Sequence, residues 1–152
     1  MTRTEMRNLI VGPIATVPTA FDHNYRIDYG LMASATEGWI QAGLVNGRSA
    51  LKVGASIGEG HLLREAEWPR LLQTVVEAAK GRVPVLGAIH HKDTIQTIED
   101  AKKAADMGAM AVQISPPLFN LPSQDDMIRY YRTVSEAVEI GIIIYTTPWL
   151  KH

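Results

Sequence analysis

Short β-branched runs alternate with longer helical patterns along this chain, and the alternation recurs about every 30 residues, the size of one strand-helix unit. Strands are expected at Leu9 to Thr16, Ala50 to Ala55, Val83 to Ile89, Ala111 to Ile114 and Ile142 to Tyr145. Helices are expected at Asp28 to Ala42, about Glu65 to Lys80, Asp93 to Met107 and Ser123 to Glu139. Asp28 is a candidate N-cap, Asp93 and Gln96 form a D-x-x-Q box, and Gly43, Gly81 and Gly108 stop their helices. The unbroken apolar character of Val83 to Ile89 fits a strand buried on both faces. Strict strand-helix order implies a parallel sheet with right-handed crossovers, either a doubly wound open sheet or part of a barrel. Both place ligands at the carboxyl ends of strands, so chemistry is sought in Thr16 to Phe21, Ala55 to Gly60, His90 to Thr94, Ser115 to Gln124 and Tyr145 to Trp149.

With 152 residues, 46% of them apolar and 20% charged, the chain can build one sizeable core, and no linker or low-complexity tract divides it. A formal charge of -1 offers no basic stripe, so neither nucleic acid nor an anionic membrane surface is an expected partner. The sequence has no cysteine, which excludes disulfides and thiolate metal sites and fits a cytoplasmic protein. Met1 to Asn8 is polar, and Gly12 and Pro13 interrupt the apolar stretch that follows, so neither a signal peptide nor a membrane span is expected.

Three stretches invite chemistry, one of them ISPPLFNLPSQ, Ile114 to Gln124, after the fourth strand. VGASIGEG, Val53 to Gly60, is a glycine-rich turn between a strand and a helix, where backbone N–H groups and a hydroxyl can approach a small anion. Gly54, Gly58 and Gly60 also match the G-x-x-x-G-x-G turn of dinucleotide-binding dehydrogenases. That reading requires a helix starting at the turn and running through Pro69, where a missing N–H and a ring clash cost about 3 kcal/mol. A structural turn without a ligand is the third possibility. In IIIYTTP, Ile142 to Pro148, a tyrosine leaving a buried strand can put its phenol into a strand-end pocket and relay a proton. A half-buried packing tyrosine with its hydroxyl in water is the commoner role for such a residue.

Taken together, GPIATVPTAFDHNYRID (Gly12 to Asp28), SIGEGHLLREAEW (Ser56 to Trp68), GRVPVLGAI (Gly81 to Ile89), ADMGAMAVQISPP (Ala105 to Pro117), LPSQ and IIYTTP resemble the dihydrodipicolinate synthase and N-acetylneuraminate lyase family. The resemblance covers nearly the whole chain. It implies a TIM-type (β/α)8 barrel, with residues 1–152 forming the N-terminal portion of one barrel domain and about its first five βα units. It further implies a homo-oligomeric class I aldolase or dehydratase, a lyase that joins a lysine to a 2-keto acid such as pyruvate as a Schiff base, with no cofactor. The family's G-[ST]-x-G-E turn falls on Ala55 to Glu59. By that match Ser56 binds the keto-acid carboxylate and joins the proton relay, the Ile57 N–H holds the same carboxylate, Gly58 is needed for the turn, and Glu59 is structural. Tyr145 matches the tyrosine that moves protons around the Schiff-base carbon.

The departures are equally informative. The family's Schiff-base lysine belongs one βα unit further on, beyond this chain, and Lys52, Lys92 and Lys151 do not stand at its position. The chain alone is therefore expected to be inactive. The second hydroxyl of the turn is replaced by Ile57, the loop tyrosine of the synthases falls on Leu118 or Phe119, and their arginine after Y-x-x-P falls on Leu150. These differences imply a relative with another second substrate, such as a sugar acid or an aromatic aldehyde product, and not a true dihydrodipicolinate synthase.

Several residues suggest more than they support. Adjacent His90 and His91 point to opposite faces of an extended segment, and neither they nor His61 have chelating spacing, so no metal is expected. Asp125 and Asp126 complement a helix N-terminus. Of Tyr130 and Tyr131, one is expected in the core and the other at a surface or subunit contact. Trp39, Trp68 and Trp149 read as packing residues, with Trp149, after the Tyr145 turn, also a candidate pocket lining. Besides the lyase, two alternatives stand: a non-catalytic half-barrel that binds an acid or assembles with another half, and a nicotinamide-dinucleotide-binding fragment.

Overall fold

The structure, a computed structural model, describes residues 4, 7, 8, 10–90, 92–117 and 122–146. Its strands are β1 (Ile14–Thr16), β2 (Ala50–Val53), β3 (Val85–Ile89), β4 (Ala111–Ile114) and β5 (Gly141–Ile144). The helices between them are α1 (Tyr29–Gln41), α2 (Glu67–Ala79), α3 (Thr94–Asp106) and α4 (Gln124–Ala137). All pairings are parallel, and the spatial order β1-β2-β3-β4-β5 follows the sequence without reversal. A doubly wound sheet reverses its strand order at a switch point, so this order is that of a barrel wall.

Side-chain alternation confirms the winding. Leu51, Val53, Val85, Ile89, Val112 and Ile114 face the helices and pack with Leu71, Leu72, Val75, Ala101, Ala104 and Val134 into the main core. The other face starts with a small apolar floor of Ala50, Leu86 and Ala111, flanked by Ile14 and Ile143. Toward the carboxyl ends that same face turns polar, because Lys52 follows Ala50 and Gln113 follows Ala111 at a spacing of two.

Local signals set the element ends. Asp28 Oδ1 accepts from the Leu31 N–H at 2.8 Å, capping α1. Asp93 Oδ1 accepts from Ile95 and Gln96. The expected D-x-x-Q box closes in one direction only, because the Gln96 amide donates to Asp100 instead of turning back. A full capping box opens α4, between Ser123 and Asp126. Asp126, one of the acidic pair there, has its carboxyl held below the ordinary range by the Ser123 hydroxyl and N–H.

Several boundaries differ from expectation: β3 starts at Val85 and not Val83, β5 spans Gly141–Ile144 and not Ile142 to Tyr145, and α4 ends at Ala137 and not Glu139. The first strand is confined to Ile14–Thr16, since Gly12 makes a left-handed turn packed on Arg48; Leu9 lies outside the described residues. The second ends at Val53, because Gly54 at φ +66° leaves the extended region. Helix α2 begins at Glu67, with Pro69 in its first turn, where the absent N–H breaks no helical bond. The tyrosine pair differs too. Tyr130 is buried with its hydroxyl 2.8 Å from Thr97 Oγ1, and Tyr131 is half-buried, donating to the Ile114 carbonyl at 3.2 Å. Their rings meet edge to face at 5.1 Å, so both serve packing between α3, α4 and β4.

Candidate functional site

The site is built on the carboxyl ends of the strands. After β2 the chain folds into two short 3-10 turns, Ser56–Gly58 and Gly60–Leu62, hinged at Glu59, which is left-handed at φ 54°. The hinge N–H is held by the Ser56 carbonyl at 3.1 Å. Gly58 is buried so tightly that a Cβ there would lie 2.7 Å from the Val17 carbonyl oxygen, while Thr19 Oγ1 donates to the Gly58 carbonyl at 2.6 Å. Gly58 is thus required by close approach to the segment after β1, and its φ is not positive. Trp68 closes the turn from the helix side, with its indole N–H donated to the Ala88 carbonyl at 2.7 Å and its ring against Gly54 and Gly87.

These contacts raise Ser56 and Ile57 to an exposed rim, Ile57 being 72% exposed. The Ile57 N–H sits in the first turn of its 3-10 segment, where no preceding carbonyl of that segment is in place to accept it. The rim therefore offers one hydroxyl and backbone N–H groups to an incoming anion.

Tyr145 lies one residue past β5, tied by its N–H to the Ile114 carbonyl at 3.0 Å. Strand alternation carries it to the face of Ile143, away from the helices, and it is half-buried. Ser56 and Tyr145 thus share the carboxyl edge of one sheet. They are not in contact, and among the described residues neither side-chain hydroxyl has a hydrogen-bond partner.

His90 joins three strand ends. Its Nε2 is 2.9 Å from the Gly54 carbonyl, which makes Nε2–H the donor, and Nδ1 is 3.5 Å from Ser115 Oγ. With His61, Arg64, Trp68, Lys92 and Asp100 it also borders a cavity of about 160 Å³ beside the turn. Among the described residues no three histidine or acidic side chains are grouped to hold a metal ion. Leu118, Phe119, His91, Trp149, Leu150 and Lys151 lie outside the described residues.

Comparison with known proteins places this arrangement. A model of the dihydrodipicolinate synthetase family matches residues 10–151. The chain belongs to that family. A 4-hydroxy-tetrahydrodipicolinate synthase of Halalkalibacterium halodurans is 37% identical over 105 residues, which are 69% of this chain and 36% of that protein. Another from Aromatoleum aromaticum is 30% identical over 140 residues, 92% of this chain and 47% of the relative. The dihydrodipicolinate synthase of Acinetobacter baumannii, solved with pyruvate, superposes with a TM-score of 0.85 at 26% identity, covering 92% of this chain and 47% of that one. A prophage protein of the same family from E. coli K12, also solved with pyruvate, gives 0.83 at 27% identity, with 91% and 45% covered. The chain spans less than half the length of each of these relatives, and its fold is the corresponding part of a (β/α)8 barrel.

Membership in the dihydrodipicolinate synthetase family removes the dinucleotide reading of the glycine turn. The geometry agrees: only a three-residue 3-10 turn starts at Gly60, the α-helix begins at Glu67, and all three glycines are accounted for by packing. Sequence reasoning passed over Lys52, which it treated only as a lysine in the wrong place. Lys52 Nζ reaches across β3 to Gln113 Oε1 at 2.9 Å, on the face away from the helices. The signal that could have found it is the period-two alternation A-L-K-V, which sets Lys52 on the face of Ala50.

Proposed function

We propose that this chain carries the carboxylate-binding and proton-handling part of a class I aldolase-type lyase, which cleaves, condenses or dehydrates a 2-keto acid such as pyruvate through a lysine Schiff base. The observation that carries the reading is the Ser56 turn and Tyr145 on one carboxyl edge of a dihydrodipicolinate synthetase family barrel wall. Ser56 Oγ and the Ile57 N–H take the keto-acid carboxylate, and Gly58 keeps the turn close enough to β1 to present them. Tyr145 gives and takes the proton beside the reacting carbon, a role suited to a phenol with one transferable proton. The Schiff-base lysine comes from sequence beyond residue 152. The second substrate differs from that of the relatives named as synthases, because the rim residue Ile57 offers an apolar surface instead of a hydroxyl. The protein works in the cytoplasm as a homo-oligomer, and among the described residues no helix is long and apolar enough to cross a membrane.

Incubating the intact protein with pyruvate and borohydride, followed by peptide mass spectrometry, tests the reading. A reduced adduct on a lysine beyond residue 152 supports it. No adduct, or one on a lysine within residues 1–152, overturns it.

A further inference from the structure

Thr19 stands where the segment leaving β1 meets the Ser56 turn, 39 positions further along the chain. Its hydroxyl donates to the Gly58 carbonyl at 2.6 Å, and the backbones lie just as close there, since a Cβ on Gly58 would fall 2.7 Å from the Val17 carbonyl oxygen. The segment that carries Thr19 is braced on both sides. Before it, the Val17 N–H donates to the Lys52 carbonyl at 3.0 Å, extending the pairing of β1 with β2, and Pro18 restricts Val17 to extended backbone. After it, the Ala20 carbonyl accepts from the Asp28 N–H at 2.9 Å, and the Ala20 N–H donates to the sulfur of buried Met32 in α1 at 3.2 Å. Phe21 and Ile27 then close a hairpin whose turn is held by Asp22 Oδ1 on the Asn24 and Arg26 N–H groups.

The Gly58 carbonyl is the last of the Ser56–Gly58 turn. Peptide units in a helical turn are aligned, with carbonyls directed toward its end and N–H groups toward its start. Holding the last carbonyl therefore sets the axis of the turn, and with it the direction in which the Ser56 hydroxyl and the Ile57 N–H are offered. The bonds inside the loop, from the Glu59 N–H to the Ser56 carbonyl and from the Gly60 N–H to the Ala55 carbonyl, both at 3.1 Å, shape the turn but move with it. His90 and Trp68 hold the start of the loop at Gly54, whereas Thr19 ties the turn itself to the end of another strand.

We propose that Thr19 is a positioning residue for the carboxylate site. Its hydroxyl transmits the fixed position of the segment after β1, through the Gly58 carbonyl, to the Ser56 hydroxyl and the Ile57 N–H. The inference rests on the function proposed above, in which those two groups hold the keto-acid carboxylate, and it gives Thr19 no contact with the acid. A small tilt of the turn is enough to matter, because two donors must reach one carboxylate together.

The test uses the intact protein and two variants. Thr19→Val keeps the shape of the side chain without the hydroxyl, and Thr19→Ser keeps the hydroxyl. Two quantities are measured beside the melting temperature: the affinity for propionate, which has a carboxylate but no ketone, and the pyruvate concentration that half-saturates borohydride trapping. Thr19→Val is expected to weaken propionate binding and raise the half-saturating pyruvate concentration, each roughly tenfold, the worth of about one hydrogen bond, with less effect on trapping at saturation. Thr19→Ser should stay within about threefold of the wild type on both. A folded Thr19→Val with both quantities unchanged, whatever its melting temperature, overturns the proposal, and so does a Thr19→Ser that loses as much as Thr19→Val. If Thr19→Val does not fold, Thr19→Ala is held to the same criteria. Propionate affinity lost in Thr19→Val and regained in Thr19→Ser, in a protein that traps no pyruvate, keeps the positioning role and removes the lyase reading. Pyruvate trapping that Thr19→Val leaves untouched keeps the lyase and removes the positioning role, and a wild type that neither binds propionate nor traps pyruvate overturns both.

Discussion

A Cβ added to Gly60 would fall 1.5 Å from the carbonyl oxygen of Gly54, so the backbone of the second 3-10 turn lies directly on the backbone that leaves β2. The same Gly54 carbonyl accepts from His90 Nε2 at 2.9 Å. One carbonyl thus fixes both the path of the turn and its attachment to the end of β3. Ser56 stands at an exposed rim because the residues on either side of it are held from below.

Gly60→Ala forces backbone against backbone, and no flexible side chain can yield to relieve it. The expected outcome is a loss of about 2–4 kcal/mol of stability, comparable with other severe steric substitutions in packed structure. Chemical denaturation of the variant checks it, and an unchanged midpoint would mean that the turn is not packed this way.

Gly38 behaves oppositely. It sits inside α1 with a helical backbone, and a Cβ there would meet nothing within 4 Å. Gly38→Ala should stabilise the protein by about 0.5–1 kcal/mol, by favouring helix and narrowing the unfolded ensemble. The same denaturation measurement should show a higher midpoint with an unchanged slope.

Much of the fold was legible because several helix ends are marked in the sequence. Asp28 and Asp93 cap where the pattern places them, and β4 occupies Ala111–Ile114 as expected, whereas α2 starts without a side-chain cap. Winding was not legible, since strand-helix alternation suits an open sheet or a barrel equally; it takes the spatial strand order to separate them. Glycine spacing misled for a related reason: Gly54, Gly58 and Gly60 read as a phosphate cradle, while each meets a protein atom that no local pattern encodes. Lys52 and Gln113 escaped notice because they are 61 positions apart and meet only across β3.

Thr97→Val removes the partner of the buried Tyr130 hydroxyl. It should cost about 1–3 kcal/mol, the penalty for stranding a buried donor. Adding Tyr130→Phe to Thr97→Val removes the stranded group as well, and should recover part of that loss in a double-mutant cycle.

Burial, opposed only in part by the Thr97 hydrogen bond, raises the pKa of Tyr130, and burial does the same to Tyr131 with the neighbouring Tyr130 adding to it. Both groups start from an ordinary value of 10.0. Above that pH the unfolded chain releases these protons while the folded protein retains them. Folded protein then binds more protons than unfolded, and stability falls as pH rises. The contribution is complete below pH about 10 and is lost progressively above it. Thermal melts between neutral and strongly alkaline pH should show the decline, and Tyr130→Phe should make it shallower.

Tyr145→Phe separates chemistry from folding. The Tyr145 hydroxyl makes no hydrogen bond to a described residue, so its removal should leave the melting temperature nearly unchanged. If the phenol moves the proton in the intact enzyme, turnover of the 2-keto acid should drop roughly a hundredfold to ten-thousandfold, the usual worth of a positioned acid-base group. If the rim hydroxyl binds the carboxylate before any bond changes, Ser56→Ala should act differently, raising KM for the acid more than it lowers kcat. A Tyr145→Phe enzyme with full turnover would leave that tyrosine as a packing residue and shift the search for the proton carrier to the sequence beyond β5.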